Sequence, residues 1–226
     1  LEDGYGINLL PLATFALTYY QDDPCECFKI KGGNTLNPAE TVLNMKMHKA
    51  ISIIQFKLEG QLLIRRKEFH MADRALLDDI NYEEGTIRLY GVEYNLLDHS
   101  FPTVDPENPY ELSKEEEEVM ERLVSAFANC EKLQRHMQLL LKKGSLYKVY
   151  NNNLLYHGCV PLNEDGSFKE VEVYGRTYKG RELYDVLEAY VRKAFFALDQ
   201  DEKQRGRDIL WFIWSSPASP LFGKDK

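Results

Sequence analysis

No apolar run in this chain approaches the roughly 20 residues needed to cross a bilayer, and no basic-then-apolar leader stands at its start. A membrane-spanning protein is therefore not expected, and the expected compartment is the cytoplasm. Cysteine is scarce: Cys25, Cys27, Cys130 and Cys159 are the 4 present. Cys25 and Cys27 make a C-x-C pair, but no second pair follows at zinc-finger spacing, so free thiols are expected. Basic residues are in the minority, with 28 Lys and Arg against 36 Asp and Glu, a net charge of −8. Such a surface repels nucleic-acid phosphates unless basic residues cluster strongly. The one dense cluster, Arg65-Arg66-Lys67, is followed at once by Glu68. Nucleic acid is excluded as a partner on this reading.

Catalytic signatures are also missing. There is no H-E-x-x-H and no G-x-S-x-G. Gly4-Tyr5-Gly6 resembles the opening of a dinucleotide loop, but it lacks a third glycine and a preceding strand. His48, His70, His99 and His136 lie in polar or loop surroundings and share no metal-ligand spacing, so each reads as a surface residue.

What the chain has is material for a core: 44% hydrophobic and 28% charged residues, the balance of a globular protein of one large domain or two small ones. Residues 7–20 read as a buried helix, with Pro11 tolerable only in its first turn. A loop with Pro24 and the paired Gly32-Gly33 follows. Asn37-Pro38-Ala39-Glu40 is a helix start, with an N-cap and a proline at the first helical position. That helix should run to about Arg66, placing Val42, Met45, Ile53, Ile54, Phe56 and Leu63 among its apolar positions, with Gly60 interrupting it at about 1 kcal/mol. Residues 85–97 alternate around Gly91 as a small hairpin or bent strand. After a loop with three prolines (98–112), Ser113 and Glu116 form a capping box opening a second long helix over 114–142. The acidic run Glu115 to Glu118 should be a solvated helix start. Met120, Leu123, Phe127, Cys130, Leu133, Met137 and Leu140 form its packing stripe. The two long helices should pack on one another. After Gly144, "SLYKVY" and "NLLYH" are short β-type runs joined at an asparagine triplet, and "KEVEVYGRTYKG" adds a further strand. Helices over about 180–199 and 201–214 complete the pattern. The class is α+β, with an internal boundary near 143.

His157 stands apart from the other histidines. It ends the run Leu154-Leu155-Tyr156, where a buried strand would emerge, and Gly158 permits a sharp turn or a close backbone approach. Ligands gather at the carboxyl ends of strands, and neutral imidazole is the commonest metal ligand among titratable side chains. A hydrogen-bonded structural histidine remains open on the residues alone.

The stretch "HGCVP" resembles the histidine-glycine motif of calcineurin-like metallophosphatases. With "LEDGYGINLLPLATFA", "KLEGQLLIRRKEF", "NNNLLYHGCVPLNEDGSF" and "SPLFGKDK", the chain resembles the class III fructose-1,6-bisphosphatases of bacteria along nearly its whole length. The family's other metal-site motifs, Asp-x-His, Gly-Asp-x-x-Asp-Arg, Gly-Asn-His-Asp and a later Gly-His, are not in this sequence. The resemblance implies an internal, helix-rich fragment of a four-layer α/β/β/α enzyme. Residues 1–143 would be a helical insertion with a small β-hairpin, and 144–226 part of the sheet domain with two helices. It implies hydrolysis of fructose 1,6-bisphosphate to fructose 6-phosphate and phosphate in gluconeogenesis. Two manganese ions about 3.5–4 Å apart would activate a hydroxide, with His157 as a metal ligand. The partner is a sugar bisphosphate. The insertion could shape the substrate mouth, carry regulation or support a homo-oligomer. The fragment alone should not catalyse, because one histidine is not a binuclear site. The alternative is a non-catalytic helical interaction module whose "HGCVP" is vestigial.

Overall fold

The computed structural model describes residues 2–29 and 37–222; the expected Gly32-Gly33 loop and the end of "SPLFGKDK" lie outside them. The architecture is α+β, with helices and small antiparallel sheets. The chain divides into two compact units, Leu1–Arg65 with Ala72–Arg135, and Arg66–Met71 with His136–Lys226.

In the first unit a short helix α1 (Glu2–Tyr5) precedes α2 (Leu10–Tyr19), which carries Pro11 in its first turn as expected. Helix α3 (Pro38–Arg65) starts where Asn37 was placed as cap. Asn37 Oδ1 accepts from Glu40 N–H at 2.9 Å and Glu40 returns a bond to Asn37 N–H at 3.1 Å, a reciprocal box that satisfies two orphan donors. Strands β1 (Ile80–Asn81), β2 (Thr86–Leu89) and β3 (Val92–Asn95) form a three-stranded antiparallel sheet. Helix α4 (Lys114–Ala128) opens on the Ser113–Glu116 capping box. Leu12, Phe15 and Ala16 of α2 share a core with Met45, Ala50 and Ile54 of α3 and with Val119 and Leu123 of α4. Helix α2 thus packs on both long helices, and α3 and α4 meet one another through the Lys57–Glu116 pair and this shared core.

Three expectations need correction here. The acidic start of α4 is not wholly solvated: Glu116 is fully buried, and only its neighbours Glu115, Glu117 and Glu118 face solvent. Its carboxylate accepts from Lys57 Nζ at 2.7 Å and from Ser113 N–H at 2.8 Å, so one side chain caps α4 and ties it to α3. Second, the buried face of α3 carries Lys46, Lys49 and Lys57, while Val42 and Phe56 are exposed. Each ammonium has dedicated acceptors. Lys46 donates to the carbonyls of Tyr20, Gln21 and Asp23, closing the C-terminal end of α2. Lys49 donates to Asp23 and Asp98, both at 2.6 Å. Burial would raise the Asp23 carboxyl, but the bonds from Lys49 and from Cys25 N–H outweigh it and hold it below the ordinary range. Third, the second long helix breaks. Asn129 and Cys130 separate α4 from α5 (Glu131–Lys143), which has no buried residue. Asn129 has left the helical region in ψ and donates its side chain to Ser125 Oγ at 3.1 Å, the local competition that makes Asn a poor interior residue.

Gly60 does not interrupt α3, which runs unbroken through it, and it stands there for a reason the sequence does not display. A Cβ there would lie 2.0 Å from the Tyr110 ring, so the missing side chain makes room for an aromatic that buries against the helix.

The second unit holds β4 (Tyr147–Tyr150), β5 (Asn153–Tyr156), β6 (Val171–Val173), β7 (Arg176–Tyr178), α6 (Gly180–Phe196) and α7 (Gln200–Ser215). The single strand expected over 169–180 is a hairpin, β6 with β7. The two final helices lie within a few residues of expectation. Leu183 and Leu187 of α6 and Ile209 and Phe212 of α7 are buried. Arg66, from the one basic cluster, is committed within this unit: Nε donates to Asp208 at 2.7 Å, and the guanidinium lies 5.1 Å from the Tyr174 ring centre.

Removing one partner of a buried ion pair commonly costs about 3–5 kcal/mol. Glu116→Ala should lower unfolding free energy by about that much, because Lys57 stays buried without its anion, whereas Glu117→Ala should stay within about 0.5 kcal/mol of the parent. Urea unfolding of the two variants checks this, and Lys57→Met with Glu116→Leu should recover most of the loss.

Candidate functional site

His157 follows the last residue of β5. Strands β4 and β5 pair antiparallel with Tyr147 opposite Tyr156 and Val149 opposite Leu154. Their turn is Asn151-Asn152, with φ of 48° and 61°, the left-handed conformation that asparagine tolerates and a two-residue hairpin requires. The base of the hairpin is tied to α6. Glu188 accepts from Ser145 Oγ at 2.5 Å and from Leu146 N–H at 3.0 Å, and Arg192 donates to Gly144 O at 3.1 Å. Burial pushes the Glu188 carboxyl up, but these donors prevail and hold it below its usual range. Tyr147 Oη donates to Asp185 at 2.8 Å and accepts from Arg181 Nε at 2.9 Å.

The expected buried strand is not buried. Val149, Leu154 and Leu155 are 61%, 55% and 54% exposed, and they come from both faces of the ribbon. A run of apolar residues tells which side chains would be covered, not what covers them; α6 reaches only part of this hairpin. An open cavity of about 690 Å³ lies between hairpin and helix, walled by Val149, Leu154, Tyr156, Val160, Phe168 and Tyr184.

After β5 the backbone is held tightly. A Cβ on Gly158 would lie 2.4 Å from Pro220 O and 2.8 Å from Leu221 O. Glycine is required here for the close approach, and its φ is not left-handed. Cys159 N–H donates to Pro220 O at 2.9 Å. On the other side of the same residue, Tyr184 Oη donates to Cys159 O at 2.6 Å. Burial pushes the Tyr184 phenol up to about 12, so it remains a donor at neutral pH. The 219–222 turn that presents these carbonyls is organised by Ser219. Its hydroxyl donates to Ile213 O at the end of α7 and accepts from Leu221 N–H at 3.0 Å.

The His157 imidazole projects from this clamped backbone into solvent and has no hydrogen-bond partner among the described residues. His48, His70, His99 and His136 are exposed as expected. No group of three or more His, Cys, Asp or Glu that could hold a metal ion occurs among the described residues, at His157 or elsewhere. All four cysteines are free thiols. Sequence reasoning singled out "HGCVP" and "SPLFG" separately but not their contact, nor Tyr184, whose place on an apolar helix face signals only packing.

The chain matches over residues 1–226 a family described as Firmicute fructose-1,6-bisphosphatase. It is 56% identical over 228 residues to a Clostridium botulinum (strain Loch Maree / Type A3) protein named fructose-1,6-bisphosphatase class 3, covering 100% of this chain and 34% of that protein. Against the protein of the same name from Alkaliphilus metalliredigens (strain QYMF) it is 54% identical over 231 residues, covering 100% and 35%. The chain thus spans about a third of the length of these curated relatives. No solved structure matches it.

A methyl group at Gly158 cannot be accommodated without parting the two backbones. Gly158→Ala should therefore destabilise by about 1–3 kcal/mol, the usual range for overpacking, while Gly4→Ala, where nothing lies within 4 Å and φ is not positive, is the control for a glycine without close neighbours or a left-handed backbone. Thermal melts of the two variants side by side check it.

Proposed function

This chain belongs to the Firmicute fructose-1,6-bisphosphatase family, as its sequence resemblance implied, and we propose that the full-length protein hydrolyses the 1-phosphate of fructose 1,6-bisphosphate, releasing fructose 6-phosphate and phosphate for gluconeogenesis. The match along the whole chain carries this reading.

Within it, His157 is a metal ligand and the metal is manganese. Three features of the residue support the assignment. The imidazole is exposed, it is uncommitted among the described residues, and its backbone is fixed from both sides. A ligand whose partners lie on other segments has those properties, whereas a structural histidine would be engaged internally. A pair of divalent ions, when bound, supplies a deprotonated water and neutralises charge on the phosphoryl oxygens. The protein's part is to hold the imidazole nitrogen in place and to keep the turn around it from moving. Carboxylate ligands come from outside these residues, so the fragment alone is inactive. Bound cations also offset the repulsion between a bisphosphate and a chain of net charge −8.

The bare faces of the β4–β5 hairpin support a place for residues 144–226 in a larger, four-layer α/β/β/α sheet domain, with 1–143 as a helical insertion. Strands apolar on both faces belong inside a covered sheet, and an isolated two-stranded ribbon is marginal in water. With its thiols unpaired, the protein belongs in the reducing cytoplasm.

Full-length protein carrying His157→Ala should lose manganese occupancy and at least ~10–100-fold in specific activity, the cost already typical of losing a group that merely orients a ligand. Metal analysis and turnover of folded protein, run beside its melting temperature, check this. Full occupancy with near-normal turnover would reject the ligand assignment. Turnover by residues 1–226 alone above a His157→Ala control would reject the incomplete site.

A further inference from the structure

We propose that Tyr184 is a positioning residue for His157, aiming the imidazole through its hydrogen bond to the carbonyl of Cys159. The inference rests on the reading of His157 as a metal ligand and names a residue through which that ligand is aimed.

Both main-chain polar groups of Cys159 are taken. Pro220 O holds the N–H at 2.9 Å and Tyr184 Oη holds the C=O at 2.6 Å. Between Cys159 and His157 stands only Gly158, pressed against the Pro220 and Leu221 carbonyls. A backbone shift that carries the His157 Cα away pulls on the Gly158–Cys159 peptide, whose N–H Pro220 holds, and through it on the next peptide, whose carbonyl Tyr184 holds, so both bonds oppose it. Glycine without them would be the loosest residue in the turn. Tyr184 is suited to the task because its own position is fixed. It is 5% exposed, its ring meets Tyr147 edge-on with centres 5.5 Å apart, and its helix neighbours Leu183 and Leu187 are fully buried. Tyr147 in turn pairs with Tyr156, the residue before His157. Tyr184 therefore holds the chain after the histidine directly and meets the strand before it through Tyr147. Packing alone would need only the ring. The hydroxyl adds direction, and residues that orient metal ligands commonly carry 10–100-fold in metal affinity.

Tyr184→Phe keeps the ring and removes the bond. The test uses full-length protein stripped by chelation and titrated calorimetrically with manganese, in four forms: parent, Tyr184→Phe, His157→Ala and the double variant. Tyr184→Phe should weaken manganese binding about 10-fold or more while the protein remains folded. It should add no further weakening once His157 is already Ala, because the hydroxyl then has no ligand to aim. Parent-like affinity of Tyr184→Phe, beside a weakened His157→Ala, overturns the positioning role and leaves the ligand reading standing. An equal loss in both backgrounds also overturns it, since the hydroxyl then acts on stability generally. Parent-like affinity of His157→Ala overturns the ligand reading itself.

Discussion

Cys159 and Ser219 are 60 residues apart in sequence, and the backbones around them touch at Gly158. That contact leaves no room for a side chain. It is the constraint around which the end of the second unit that carries His157 is arranged. Ser219 turns the chain after α7 so that the Pro220 and Leu221 carbonyls face Gly158, and Pro220 O takes the Cys159 N–H. Tyr184 closes the other side. The result is a turn held by backbone groups and one phenol, with the imidazole of His157 the part left uncommitted. Rigid support beneath a free donor atom suits a ligand that must meet partners from elsewhere in a longer chain.

The first unit is stabilised in a different manner. Its long helix buries three lysines, and each would be costly without an acceptor. Lys46 spends its ammonium on carbonyls at the end of α2, Lys49 on two aspartates and Lys57 on Glu116. Hydrophobic contacts alone would let α2, α3 and α4 slide along one another. The Lys57–Glu116 pair joins α3 to α4 at named atoms, and the bonds of Lys46 and Lys49 hold the segment that follows α2 against α3.

Local chemistry was legible in the sequence. The Asn37 and Ser113 starts, the Asn151-Asn152 turn and the starts of α6 and α7 depend on residues within a few positions of one another, and the structure agrees with them. The helix break at Asn129 is local too, but the apolar stripe ran through it and masked the signal. Long-range pairing was not legible. Periodicity assigns lysine to solvent, and nothing near Lys49 or Lys57 announces Asp98 or Glu116, 49 and 59 residues away. Of the candidate site, His157 and the need for Gly158 were readable because the motif is contiguous. The 219–222 turn and Tyr184 were not, since a close approach of two backbones leaves only a glycine on one side as its trace. The exposure of β5 escaped for the same reason: an apolar run records a demand for cover without naming its source.

Whether His157 is held out as a metal ligand is measured by anomalous diffraction at the manganese edge from crystals of the full-length protein. The expected result is an anomalous peak at coordination distance, about 2 Å, from an imidazole nitrogen of His157, with the Cys159 N–H still bonded to Pro220 and its carbonyl to Tyr184. Manganese bound at full occupancy elsewhere, with the His157 ring in solvent or hydrogen-bonded to protein, would contradict it.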